Sequence, residues 1–284
     1  MSPVAGPLYL PIFNEVFLVD VLAGFHILPV KRLAPVEMTE AEIRGKLDEM
    51  NDGEEGPVIN ISTAEPPPFY NSATMYHTNS WSSHMSVHIP RRRALETRRR
   101  HPDLMEPRAL PGTWLEKLIK PPKLLKALPA EPRPFEVIES SAMVDLNDMR
   151  EVTREGEFVV SFARDWTDAQ ADAICYALYY LYSAPYDIFE IGKKILPWWP
   201  NLRQIKVCST FIETGLEGRD PKNFSVGPDN PPKGDSDIRA WLLDHFIKPD
   251  EMTPAAGGRY LFQNPLYFRE RSFRCSLTEA RAKI

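Results

Sequence analysis

Ile205-Lys206-Val207-Cys208-Ser209-Thr210-Phe211-Ile212-Glu213-Thr214-Gly215-Leu216 is the stretch from which the fold is read. A short apolar approach runs into a cysteine followed by two hydroxyl residues. Phe211, Ile212 and Leu216 then recur at helical spacing, and Gly215 reads as a stop. Cys208 is therefore expected at or next to a helix N-terminus. Unpaired backbone N–H groups and the positive end of the dipole favour a thiolate there, and the same groups can hold an oxyanion. Two readings stand for Cys208. It is a nucleophile, or it is a small buried hydrophobe, as most free cysteines are.

Composition narrows the classes. The chain has 284 residues, 43% hydrophobic and 26% charged, which suits a globular protein with a sizeable core. The net charge of −5 argues against a general nucleic-acid binder and leaves polyanion contact to local segments. The 3 cysteines, Cys175, Cys208 and Cys275, form no Cys-x-x-Cys pair, so neither a disulfide framework nor a zinc ribbon is implied. Residues 1–7 lack a basic run, and the apolar stretch from Leu8 to Val30 is broken by Pro11, Asn14, Glu15 and Asp20. The expectation is a reducing, cytoplasmic compartment, with no signal peptide or transmembrane segment.

Outward from Cys208, the chain divides into an arm and helix over 1–55, a main domain over 56–270 and a tail over 271–284. Thr39-Glu40-Ala41-Glu42 and Thr167-Asp168-Ala169-Gln170 are capping boxes that open helices. The first helix carries Ile43, Leu47 and Met50 on one face. The second carries Ile174, Leu178 and Leu181, with Cys175 read as core. Strands are expected at Pro57–Ser62, from His84 to Ile89, at Phe135–Ser141 and at Glu157–Phe162. Asp235-Ser236-Asp237 and Thr253-Pro254 mark later helix starts.

In the second of these strands Met85, Val87 and Ile89 share one face, and His84, Ser86 and His88 the other. His84 stands at the strand's start, where an imidazole can serve a reaction; a surface histidine is the plainer reading. Glu139 ends an apolar strand face. It orients a histidine or sits in water. Residues 91–133 hold 12 Lys and Arg against 5 Asp and Glu, with Arg91-Arg92-Arg93 and Arg98-Arg99-Arg100 at their start. This segment reads as a basic, proline-rich insertion over 91–134: a solvated loop, or a contact for phosphates, anionic lipid or a partner protein. Neither a phosphate-binding glycine loop nor convincing metal-ligand spacing occurs.

Strand 57–62, Trp81-Ser82-Ser83-His84-Met85-Ser86-Val87, strand 135–141, Ala184-Pro185-Tyr186-Asp187-Ile188 and Val207-Cys208-Ser209-Thr210-Phe211 stand in an order that resembles the permuted papain-like amidases of the YiiX type. These belong to the NlpC-type cysteine hydrolase superfamily. The resemblance covers roughly residues 57–89 and 135–262. It departs from the family at Gly56-Pro57, where Gly-Asp is usual, at Ser209-Thr210-Phe211, where Ser-Glu-aliphatic is usual, and in the basic insertion. It implies an α+β, circularly permuted papain-like fold with an antiparallel sheet packed on helices. Cys208 would be the nucleophile, His84 the base and acid, and Glu139 the residue that holds the imidazole. Trp81 and Tyr186 would line the cleft, or serve as packing; His77 and His88 are spare. The implied reaction is amide, ester or thioester hydrolysis through a thioester intermediate, with no metal or organic cofactor. Substrates would be peptides, peptidoglycan stems or acyl lipids. A non-catalytic interaction protein and a lipid-directed acyltransferase are the competing expectations.

Overall fold

The structure, a computed structural model, describes residues 39–64, 84–109, 124–140, 143–150, 157–184, 208–223, 228–247, 249 and 252–268. The arm over 1–38, the tail from 269 and the turn at 185–188 lie outside these residues.

Helix α1, Glu40–Gly53, opens on the expected capping box. Thr39 Oγ1 accepts from the Glu42 backbone N–H at 3.2 Å, and Glu42 Oε2 accepts from the Thr39 N–H at 2.7 Å. Two of the helix's orphan donors are satisfied in this way. Strand β1 is Val58–Ala64 and β2 is His84–His88. Helix α2, Arg91–Arg100, follows, then a single 3-10 turn at Pro102–Met105. Strands β3, Arg108–Ala109, and β4, Leu124–Leu125, pair with each other alone. Strands β5, Glu136–Ser140, β6, Val144–Asp148, and β7, Glu157–Arg164, precede helix α3, Asp168–Tyr180. Thr167 and Gln170 form the second capping box. Helix α4 is Cys208–Glu217, α5 is Asp237–Asp244, α6 is Pro254–Gln263 with Thr253 as its N-cap, and β8 is Tyr267–Phe268.

The main sheet is antiparallel throughout, in the order β6-β5-β2-β1-β7-β8. The fold is therefore α+β. Strand alternation separates two layers. On one face Ile59, Ile61, Met85, Val87, Ile138 and Phe162 join a large apolar core with α3, α4, α5 and α6. On the other, Val58, Val137, Val159 and Met149 pack against Leu47 and Met50 of α1. Each fully buried side chain of this kind contributes roughly 1.5–3 kcal/mol. The helix assigned to the arm thus belongs to the sheet's second layer.

The arginine-rich start of the expected insertion is not a solvated loop. It is α2, and two of its arginines are interior. Arg93 donates to the Glu55 carbonyl at 2.9 Å and to Asp168 at 2.8 Å. Arg98 grips both oxygens of fully buried Glu136 at 2.9 Å each, and Tyr179 Oη donates to the same carboxylate. Charge composition cannot distinguish a cation that faces water from one with a buried carboxylate waiting on another element. Leu104, Leu125 and Leu128 also sit in the main core, so this part of 91–134 is built into the fold.

Helix α4 also stops later than Gly215. A Cβ on Gly215 would lie 2.1 Å from Leu178 Cδ2, so this glycine is where α3 and α4 approach closely. The stop is Gly218, whose φ of +57° is the left-handed conformation glycine adopts without strain.

Candidate active site

Register brings His84 and Glu139 together. Ser86 of β2 is opposite Glu139 of β5, so His84, two residues away on the same face, is the diagonal neighbour of Glu139. His84 Nε2 lies 2.8 Å from Glu139 Oε2. On the other side Val137 is opposite Asn147, which makes Asn147 a second diagonal neighbour, and its amide donates to Glu139 Oε1. The carboxylate is thus held from both flanking strands.

Burial raises the Glu139 carboxyl pKa, but the hydrogen bond and charge of His84, with the Asn147 amide, outweigh it and leave it below its ordinary value. Glu139 is therefore an anion near neutral pH. An anionic acceptor fixes the proton of the neutral ring on Nε2 and leaves the Nδ1 lone pair as the basic position.

Cys208 begins helix α4, as its sequence suggests, while its side chain lies outside the described atoms. The placement of the helix is informative. Position 215 packs on Leu178 and position 218 on Ala173, so α4 runs antiparallel to α3. Its N-terminus therefore extends beyond Tyr180, towards the end where Ser183 and Ala184 exchange backbone hydrogen bonds with Val144. Val144 is opposite Ser140, the last residue of β5, one strand from His84. Helix α4 also packs directly on β2 and β5. The helix start and the His84–Glu139 pair stand at the same end of the sheet. Phe211, Ile212 and Leu216 of α4 belong to the core on the Met85 and Val87 face, whereas alternation puts His84 and Glu139 on the other.

The other candidates separate cleanly. His88 is wholly buried, its Nδ1 donating to the Glu136 carbonyl at 3.1 Å, and burial pushes its pKa down to about 4. It is a core histidine. Cys175 is also buried, and loss of solvent pushes its thiol up to about 12, which makes it unreactive. Trp81, Tyr186, His77 and Cys275 lie outside the described residues. Among the described residues no group of three His, Cys, Asp or Glu could hold a metal ion, and no helix is long and apolar enough to cross a membrane.

Asn147 is the site residue that sequence reading missed. Its signal was the alternation Val144, Leu146 against Asp145, Asn147, which marks a strand with polar side chains on one face. The basic run is less available than its composition implies: Arg91, Arg92, Arg93, Arg98 and Arg100 all lie in ion pairs with the chain's own carboxylates.

The chain matches no protein-family model, no curated protein and no solved structure. What the fold and site define is a class, an α+β protein with an antiparallel sheet and a histidine–carboxylate pair at the sheet's end.

Proposed function

We propose that the chain is a cysteine-dependent hydrolase of amide, ester or thioester bonds, built on a permuted papain-like (NlpC-type) arrangement. The observation that carries this reading is the His84–Glu139 pair at 2.8 Å, beside the end of the sheet where the helix starting at Cys208 packs. In the proposed reaction His84 Nδ1 takes the Cys208 proton, and Glu139 stabilises the resulting imidazolium. The thiolate attacks the acyl carbonyl. Unpaired N–H groups at the start of α4 hold the oxyanion. The imidazolium then protonates the leaving amine or alkoxide, giving a thioester that water hydrolyses with His84 again as base. Peptides, peptidoglycan stems and acyl lipids are the substrate classes. Glu139 sets the ring's orientation, the part that the family resemblance implies for it.

One observation favours the non-catalytic reading. His84 and Glu139 occupy the sheet face opposite the apolar layer that α4 joins, so thiol and imidazole must meet around the sheet's end. The lipid-directed transferase draws less support, because Arg93 and Arg98 are buried and Arg91, Arg92 and Arg100 pair with the chain's own carboxylates at the surface.

The test is the pH dependence of iodoacetamide alkylation at Cys208, read by mass spectrometry in wild type and His84→Ala. The expected result is rapid alkylation well below pH ~8 that His84→Ala abolishes. A Cys208 that titrates like a free thiol, near its reference value of about 8.5, refutes the hydrolase reading and leaves the interaction protein.

A further inference from the structure

Ser62 sits directly opposite His84, across the β1–β2 pairing and on the same face of the sheet. The polar side chains around it are nearly all satisfied from within the protein. Asn60 Oδ1 accepts from Ser161 Oγ at 2.7 Å, and Asn60 Nδ2 points at Ser86 Oγ at 3.4 Å. Glu139 accepts from His84 and Asn147. Ser62 Oγ, like His88 Nε2 at the far end of the same face, is not satisfied: the residue is 1% exposed, and its hydroxyl has no hydrogen-bond partner.

A buried hydroxyl without a partner destabilises a fold, and a strand position directly opposite Val159, on the face of the Val58–Val137 layer, would accept an apolar side chain at no such penalty. The position of the hydroxyl suggests what it is for. Glu139 flanks His84 from β5, and Ser62 flanks it from β1. The carboxylate and the free hydroxyl therefore lie on opposite sides of the imidazole. A group that approaches His84 from the side away from Glu139 arrives next to Ser62.

We infer that Ser62 is a substrate-binding residue of the proposed hydrolase, its hydroxyl donating to the carbonyl oxygen of the acyl group under attack. The inference rests on the hydrolase reading. It adds a side-chain donor, from the far side of the histidine, to the N–H groups at the start of α4. Donors aimed at a developing oxyanion act in the transition state more than in the ground state.

Two probes of Cys208 separate this inference from the reading beneath it. Iodoacetamide alkylation forms an S–C bond with loss of iodide and develops no oxyanion, so its rate reads the thiolate–imidazole pair. p-Nitrophenyl acetate acylates the thiol: the S–C bond forms, the ester C–O bond breaks and p-nitrophenolate leaves with the electron pair, by way of an oxyanion. Both rates are measured in wild type, Ser62→Ala and Ser62→Thr, with Cys208→Ala subtracted as background. The expected result is that Ser62→Ala leaves alkylation unchanged and slows acylation about tenfold or more, the worth of one hydrogen bond made in the transition state. Ser62→Thr restores the rate, and the Ser62→Ala melting temperature is equal or higher. Equal acylation in wild type and Ser62→Ala overturns the inference. So does a parallel fall in both rates, which would place Ser62 behind the imidazole rather than on the substrate. A slow, free-thiol alkylation in wild type instead removes the hydrolase reading, and this inference with it.

Discussion

The buried imidazole of His88 makes folding stability depend on pH in a window that its surroundings define. His88 lies between Val58 of β1 and Val137 of β5, in the layer that α1 covers. Its Nδ1 donates to the Glu136 carbonyl, and its Nε2 is buried without a partner. A second proton would have to go on Nε2, where nothing accepts it. Burial therefore lowers the pKa from its ordinary 6.5 to about 4, although the Glu136 carbonyl and the charge of Asp148 both favour the imidazolium. Between these two values the unfolded chain binds a proton that the folded chain does not, so stability is full above about pH 6.5 and declines as pH falls towards 4. At about 1.4 kcal/mol for each pH unit in that window, the complete loss is about 3 kcal/mol. His88→Asn keeps an N–H donor where Nδ1 stood and removes the titration. Urea denaturation at half-unit steps from pH 7.5 to 3.5 should show wild type losing about 3 kcal/mol more than His88→Asn, whatever the variant costs at neutral pH. Parallel curves would refute the argument, since they would mean that the folded state accommodates the second proton. The carboxylates do not mimic this signal: Glu139, held below its ordinary 4.5, begins to lose its contribution only below about pH 4.5, and does so equally in wild type and His88→Asn.

Glu139→Gln removes the anion that stabilises the imidazolium, so the low-pH limb of Cys208 alkylation should move up by about one pH unit or more; an unmoved limb would show that the pair is structural. Arg98→Met strands the carboxylate of fully buried Glu136 and should destabilise by roughly 3–5 kcal/mol in urea, with Arg98→Met/Glu136→Gln recovering most of it; a single-variant loss under about 1 kcal/mol contradicts the buried pair. Gly234→Ala would place a Cβ 2.3 Å from the Leu216 carbonyl oxygen, whereas one at Gly45 in α1 meets nothing within 4 Å. The first should cost roughly 1–3 kcal/mol and the second add roughly 0.5–1 kcal/mol, and thermal melts with the opposite order would place both glycines wrongly.

How much was legible in the sequence depended on how far each signal reaches along the chain. The two capping boxes, at Thr39 and Thr167, are complete within four residues, and both helices start where those residues say. The helix beginning at Cys208 and the strand beginning at His84 are likewise local patterns. Contacts that join distant segments were not readable. Arg98 looked like a surface charge because its carboxylate is 38 residues away. Gly215 looked like a helix stop because the Leu178 side chain that explains it lies on another helix. Asn147 touches Glu139 only once the β5–β6 register is known.

The two glutamates of β5 show why register matters more than residue type here. Glu136 and Glu139 are three residues apart on one strand, so alternation sends them to opposite faces. Glu136 turns towards α2 and α3, where Arg98 and Tyr179 surround it and no solvent reaches it. Its oxygens accept from Arg98 of α2, Tyr179 of α3 and the Arg133 backbone N–H, and a reaction there would have to unpack the core. Glu139 turns to the other face, where its partner is a ring nitrogen of a side chain that is still 18% exposed. A carboxylate that orients an imidazole contributes to chemistry only if the imidazole's other nitrogen can be reached. Only the second glutamate belongs to a pair whose histidine meets solvent, at the end of the sheet where a cysteine starts a helix. The proposed activity therefore depends on the strand parity that separates a structural ion pair from an orienting one on the same five residues.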